Sequence, residues 1–282
     1  MKWDSDTKTA ECETCTHAGA PPGETDRAAA ASVAEPEPGR AAAIDPGVAG
    51  ASARREYERR SQQERRRSQA VVARDAAWRK QLISDHPILG RVASALIREP
   101  VVAPESQRTR AWRQGAAGEE LLGRMLEAVD GIVVLHDRRI PGSRANIDHI
   151  ALSAAGVFVV DPKNYDGMVE KRDLGGWFRT DERLYVDGRD RTNKLVEGML
   201  WQVETVRKVL DGEFPGIGIP VRGDLCLVGP NWRRFLPRTL TGRGVQVMWP
   251  AQVVELLRQQ GPLSPERVQE MGLRLSSALP PA

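Results

Sequence analysis

The 282-residue chain carries 41 Lys and Arg against 38 Asp and Glu, a net charge of +3, and has three cysteines. Three thiols build no disulfide framework, the first residues lack the apolar core of a signal peptide, and the longest mostly apolar run, Ile150–Val160, is well short of the ~20 residues that span a bilayer. A soluble cytoplasmic protein with no membrane association is expected, with its positive charge gathered in one block: 10 basic against 4 acidic residues over 54–80, where residues 1–53 have 4 against 9.

Residues 1–52 are rich in Ala, Gly, Pro and Glu, with almost no large apolar side chains. That composition buries too little to fold and reads as a disordered tail. Cys12, Cys15 and His17 within it resemble half of a zinc site, without the second ligand pair that a closed site needs.

Residues 53–110 read as an Arg-rich helical extension and linker. The run 53–82 lacks breakers and is dense in helix formers, but its apolar positions are too sparse for a core-facing stripe. Arg54, Arg55, Arg59, Arg60, Arg65, Arg66 and Arg67 offer a row of phosphate partners for DNA or RNA. The same residues suit a solvated helix with local pairs such as Glu56–Arg60, or an arm that binds a protein partner or a second copy. Pro87 ends this stretch, a shorter apolar helix follows, and Pro100 and Pro104 mark a linker.

A compact domain is expected over 111–260. Gly115–Val129 reads as a helix with Leu122, Met125, Leu126 and Val129 on its buried side. Glu119 shares that side, and an acid there stands at the stripe's edge or points at a site. A strand over Ile132–His136 precedes the most informative stretch, Asn146–Gly167. Here two apolar strands are joined by a turn at Ser153–Gly156. If Leu152 faces Val157, antiparallel counting sets Asp148 directly opposite Asp161, and directly opposed Cβ atoms are about 5 Å apart. The side-chain period of two brings Lys163 to the face of Asp161 and sends His149 to the other, which makes His149 structural. Pro162 cannot donate to a ladder, so the strand is expected to end or bulge at Asp161.

Short strand pieces follow around Trp177-Phe178 and Leu184–Val186. A helix capped by Thr192 or Asn193 runs to about Leu210 along a stripe of Val196, Met199, Val203, Val206 and Leu210, with Gln202 beside it. Strands over Leu225–Val228 and Val245–Trp249, a helix over Ala251–Gln259 and a last helix opened by Ser264-Pro265-Glu266 complete the chain. Residues 261–282 are expected to pack on the domain as its C-terminal helix. This order indicates an α/β fold with a mixed central sheet.

Gly115-Ala-Ala-Gly118-Glu119, Asn146-Ile147-Asp148-His149, Gly156–Tyr165 and the later Gln202 resemble, in that order, the nuclease-related domain family of the PD-(D/E)XK nuclease superfamily. The resemblance implies a restriction-endonuclease-like sheet flanked by helices and a metal-dependent phosphodiester hydrolase acting on DNA or RNA, endo or exo. It implies that Asp148 and Asp161 ligate Mg2+ or Mn2+, with the Pro162 carbonyl as a third ligand and Glu119 as an outer or second-metal ligand. Lys163 would orient water or steady phosphate charge, and Gln202 would be an accessory polar residue. A nucleic-acid-binding or interaction module on a catalytically degenerate nuclease fold is the alternative.

Overall fold

The computed structural model describes residues 43–98, 100–165, 168–176, 180–229 and 244–282, together with the backbone of a two-strand pairing near the N-terminus. That pairing joins β1 (Lys2–Trp3) and β2 (Ala10–Glu11) antiparallel and belongs to a separate unit, residues 1–41. Cys12, Cys15, His17 and the Trp177-Phe178 strand piece lie outside the described residues.

The tail expected to extend through residue 52 ends earlier. Residues 43–50 run along the domain: Ile44 packs against the core, the Asp45 N–H donates to Ser276 Oγ at 3.1 Å, and the Pro46 carbonyl accepts from the His136 N–H at 2.7 Å. Helix α1 (Ala51–Asp85) follows directly. Its first half lies along α3 (Gln107–Glu127), where Glu64 accepts from the hydroxyls of Ser106 and Thr109. Ser106 also caps α3, accepting from the Thr109 N–H at 3.2 Å, so α3 begins two turns before the Gly115 start that the apolar stripe alone suggests. Helix α2 (Leu89–Leu96) folds back on α1, its C-terminal carbonyls held by Arg79 through Ser94 at 2.5 Å and Ile97 at 3.0 Å.

The central sheet has five strands in the order β10-β9-β5-β4-β3. Strands β3 (Val133–Arg139), β4 (Asn146–Ser153) and β5 (Gly156–Lys163) form an antiparallel meander. Strands β9 (Val221–Leu227) and β10 (Val245–Met248) add in parallel beyond β5. Helix α4 (Thr192–Glu213) supplies the crossover a parallel pair requires. It lies on the sheet face carrying Ile150, Leu152, Val157 and Val159, with α6 (Pro265–Ala278) beside it. Helices α3 and α5 (Pro250–Leu257) cover the other face, over Ala151, Phe158 and Val160. The fold is thus α/β, a mixed sheet between helical layers. A small antiparallel sheet of β6 (Val169–Asp173), β7 (Glu182–Val186) and β8 (Arg189–Asp190) is not hydrogen-bonded to it, but its Val169, Leu184 and Val186 join the same core.

Arg138 fastens the ends of the chain. It is fully buried, and its guanidinium donates to the carbonyls of Leu279 at 2.7 Å, Ser276 at 2.9 Å and Asp45 at 3.0 Å. Burial pushes its pKa down, while three carbonyl partners answer most of its donors. Among the described residues no helix is long and apolar enough to cross a membrane.

Candidate active site

The β4–β5 turn sets the register. Gly156 has φ 138° and an added Cβ would stand 2.7 Å from the Pro220 carbonyl, so the turn needs glycine there. Ser153 faces Gly156 and Leu152 faces Val157, and the ladder continues to His149–Val160. One further step sets Asp148 against Asp161, and there the pairing stops.

Pro162 explains why it stops without ending the strand. Contrary to expectation, β5 neither ends nor bulges at Asp161: Asp161, Pro162 and Lys163 all continue in parallel register with Leu225, Cys226 and Leu227 of β9. The Lys163 carbonyl accepts from the Val228 N–H at 2.9 Å. Alternation then turns the Pro162 carbonyl, and its missing N–H, away from β9 toward β4. No ladder bond is lost, because β4 and β5 have already parted. The two aspartates stand at that fork.

Their environment is strained electrostatically. Asp161 is buried, 6% exposed, and Asp148 is half-buried. Burial, then the charges of Asp161 and Glu119, hold the Asp148 carboxyl well above the usual carboxylate range, and in its protonated form it donates to Asp161. A like charge close by in low dielectric disfavours the ionised form of Asp148 in this way. Lys163 Nζ donates to Asp161 Oδ1. Burial alone would lower the Lys163 ammonium, but the Asp161 and Asp148 charges outweigh it and its pKa is raised.

Glu119 comes from α3, on the other side of the same cluster. Burial first, then the charges of Asp137 and Asp161, push its carboxyl up to about 7, and its Oε2 is buried with no hydrogen-bond partner. Gly118 makes this approach possible: a Cβ there would stand 3.0 Å from the Asn164 Cβ. The Asn164 Nδ2 donates in turn to the Gln114 carbonyl at 3.0 Å, tying the end of β5 to α3. Between α3, the end of β5 and the β7–β8 turn lies a cavity of about 490 Å³. Glu119, Asp148, Pro162 and Lys163 line it, with Trp112 of α3 and Asp187 of the turn also in its wall.

Other candidates are placed differently. His149 is fully buried on the α3 side, its Nδ1 2.8 Å from that of His136. Burial and the His136 ring lower its pKa to about 3, and a neutral buried imidazole is a packing group. Gln202 is half-buried on α4, is not among the residues lining the cavity, and its Oε1 has no partner. Four of the seven arginines are engaged within the chain: Arg54 with Glu120, Arg55 with the Ala282 carbonyl, and Arg59 and Arg60 with Glu56. Arg65, Arg66 and Arg67 are exposed.

One acid escaped sequence reasoning. Asp137 is buried on β3, between residues paired with His149 and Ile147, which sets it beside Asp148. Its Oδ2 accepts from the Ser52 N–H at 2.5 Å, capping α1, and its Oδ1 accepts from Asn146 Nδ2. The β3–β4 register that brings it there depends on the loop at 140–145, which no pattern of alternation fixes.

Residues 114–228 match the family model of the nuclease-related domain. Each cavity-floor residue, Glu119, Asp148, Pro162 and Lys163, lies inside the matched nuclease-related domain. The chain is also similar to an uncharacterized protein of Bacillus anthracis, 43% identical over 63 residues, which is 21% of this chain and 29% of that protein. It therefore spans less than a third of that relative's length. No solved structure matches.

The donor chemistry suits a hard cation. Among the described residues no group of three or more His, Cys, Asp or Glu side chains is placed to hold a metal ion. Magnesium asks for less: one or two carboxylates, with water completing the shell. The unpartnered Oε2 of Glu119 and the raised Asp148 carboxyl are two oxygen donors whose ionised forms the single Lys163 charge does not fully offset.

Proposed function

We propose that the nuclease-related domain is a divalent-metal-dependent phosphodiesterase acting on DNA or RNA in the cytoplasm. The observation that carries this is the Asp148–Asp161 pair at the β4–β5 fork, with Lys163 on Asp161 and Glu119 beside them. One or two of the carboxylates Asp148, Asp161 and Glu119, with the Pro162 carbonyl and water, would hold Mg2+ or Mn2+. When bound there, the ion would polarise a phosphoryl oxygen and acidify a water. Lys163 stays charged because two carboxylates hold its proton, and it places a fixed positive charge where negative charge gathers on the phosphoryl group. Gln202 would take an accessory place only if α4 moved it into the cavity wall.

The test is cleavage of labelled DNA and RNA with Mg2+ or Mn2+, lost in Asp161→Asn and Lys163→Ala proteins that remain folded. Equal cleavage by the wild type and both variants would refute the assignment. The exposed Arg65, Arg66 and Arg67 favour a second reading, a nucleic-acid-binding or interaction module on a degenerate nuclease fold. That reading requires salt-dependent binding that survives loss of Asp148 and Asp161 but not charge reversal at the three arginines.

A further inference from the structure

The cavity contains more than the acid cluster. Along α3 its wall includes Ala111 and Gly115, small residues one turn apart that leave a trough between the longer side chains of Gln107, Arg110 and Gln114. Trp112 flanks that trough. It lies seven residues before Glu119, two helical turns or ~10 Å along the axis and on nearly the same side. Its ring remains 38% exposed although it lines the cavity. The Arg60 guanidinium of α1 stands over the ring at 5.7 Å from its centroid and is itself held by Glu56 at 2.5 Å. A large apolar ring is thus braced from behind and left open toward a polar cavity.

The charges of the cavity leave a role for such a ring. Its cations are Arg110 and Lys163, its acids Glu119, Asp148 and Asp187. Lys163 is occupied by Asp161, and Arg110 stands 3.9 Å from Glu105. Three acids thus stand against two cations, each with an acid of its own nearby, so a source of affinity besides phosphate attraction is favoured. Shape adds a second constraint. Asp148, Pro162 and Lys163 line the same cavity of about 490 Å³ as Trp112, between α3 and the β7–β8 turn. A base inside a stacked duplex has no free π-face to offer, so stacking on the Trp112 ring selects a strand whose base has left the stack.

We propose that Trp112 is a stacking platform for an unpaired base, and that the substrate of this site is a single strand or a frayed end. The proposal rests on the nuclease reading for the fate of the strand, but the platform itself needs only binding. One base stacks on the Trp112 ring, with Arg60 fixing the ring from its other side. The backbone then runs along the trough of Ala111 and Gly115 toward Glu119 and the fork. Stacking on an aromatic side chain is tolerant of base identity, so the site selects strand form and not sequence.

The experiment uses the full chain in EDTA, with fluorescein-labelled dT12, rU12 and a blunt 12-base-pair duplex as probes in polarisation titrations. The wild type should bind the single strands more tightly than the duplex. Trp112→Leu keeps an apolar side chain without a π-face and should lose single-strand affinity by about tenfold or more, while duplex affinity stays the same. Trp112→Phe should retain most of the binding, and thermal melts confirm that both variants are folded. Equal wild-type affinity for strand and duplex overturns the proposal, as does a Leu variant that binds single strands as well as the Phe variant. Comparison of dT12 with rU12 tells DNA from RNA. Cleavage with Mg2+ or Mn2+ is scored separately. Trp112-dependent binding without cleavage removes the nuclease reading and keeps the platform. Cleavage with no Trp112 dependence on either strand form removes the platform and keeps the nuclease.

Discussion

Replacing Glu119 by Gln should stabilise the metal-free protein, and only above a defined pH. In the folded chain this carboxyl is raised from its ordinary 4.5 to about 7, by burial and then by the charges of Asp137 and Asp161. The folded state therefore holds a proton that the unfolded state has released between those two values, and stability falls as pH rises through that window. Each pH unit costs ~1.4 kcal/mol, so about 3 kcal/mol accumulates by pH 7 and does not grow beyond it. Gln fills the same volume, carries no charge and escapes the whole penalty. Urea unfolding in EDTA should give nearly equal midpoints for wild type and Glu119→Gln at pH 4.5. At pH 8 the variant should be more stable by roughly 2–3 kcal/mol. Millimolar Mg2+ at pH 8 should raise the wild-type midpoint and leave that of the variant less changed, since a ligand stabilises only the state that binds it. A stability difference independent of pH would show that Glu119 is not held protonated by its neighbours, and the electrostatic account of the cluster would fall with it.

Arg138→Met should cost about 3–5 kcal/mol, because three carbonyls lose a buried charged donor; a urea series measures this. Hydrogen exchange in the same variant should show faster exchange at Asp45, whose N–H is bonded to Ser276 Oγ. Asp137→Ala removes the acceptor for the Ser52 N–H and should cost about 1–2 kcal/mol, as loss of a helix cap does, with exchange rising in the first turn of α1. Gly118→Val forces branched methyls against Asn164, whose Cβ is 3.0 Å from the modest Cβ of an alanine there. It should cost about 1–3 kcal/mol and lower cleavage even where the protein stays folded, read from melts beside activity. Arg54→Ala should leave the urea midpoint unchanged, since its pair with Glu120 is exposed and screened.

What could be read from the sequence was what local rules fix. The β4–β5 hairpin is closed by a four-residue turn and patterned on both faces, so its register, from Ser153–Gly156 to His149–Val160, followed from counting. The last helix announced itself through Ser264 and Pro265, and Ser264 Oγ accepts from the Arg267 N–H at 3.3 Å. What stayed hidden depends on contacts between distant segments. Composition assigned residues 43–52 to a tail because Ala, Gly and Pro dominate there. A single Ile44 side chain, two backbone hydrogen bonds and the reach of Arg138 from β3 are enough to dock residues 43–50. Arg138 itself has no sequence signal, since its partners lie 93 and 141 positions away.

Pro162 shows where a correct local rule needed tertiary context. Proline cannot donate to a ladder, which by itself predicts a strand that ends or bulges at Asp161. The rule constrains only the edge that the absent N–H faces. On its β9 side the strand continues for two residues past Asp161, while on its β4 side pairing has stopped at Val160. The proline therefore separates one neighbour and keeps the other. Asp161 and Lys163 stay anchored on a central strand and the gap opens between Asp161 and Asp148. A rigid strand with one open edge holds two acids close enough to contest a proton and leaves room on one side for a third group. Any donor-competent residue at position 162 would invite β4 to pair one step further and close that gap.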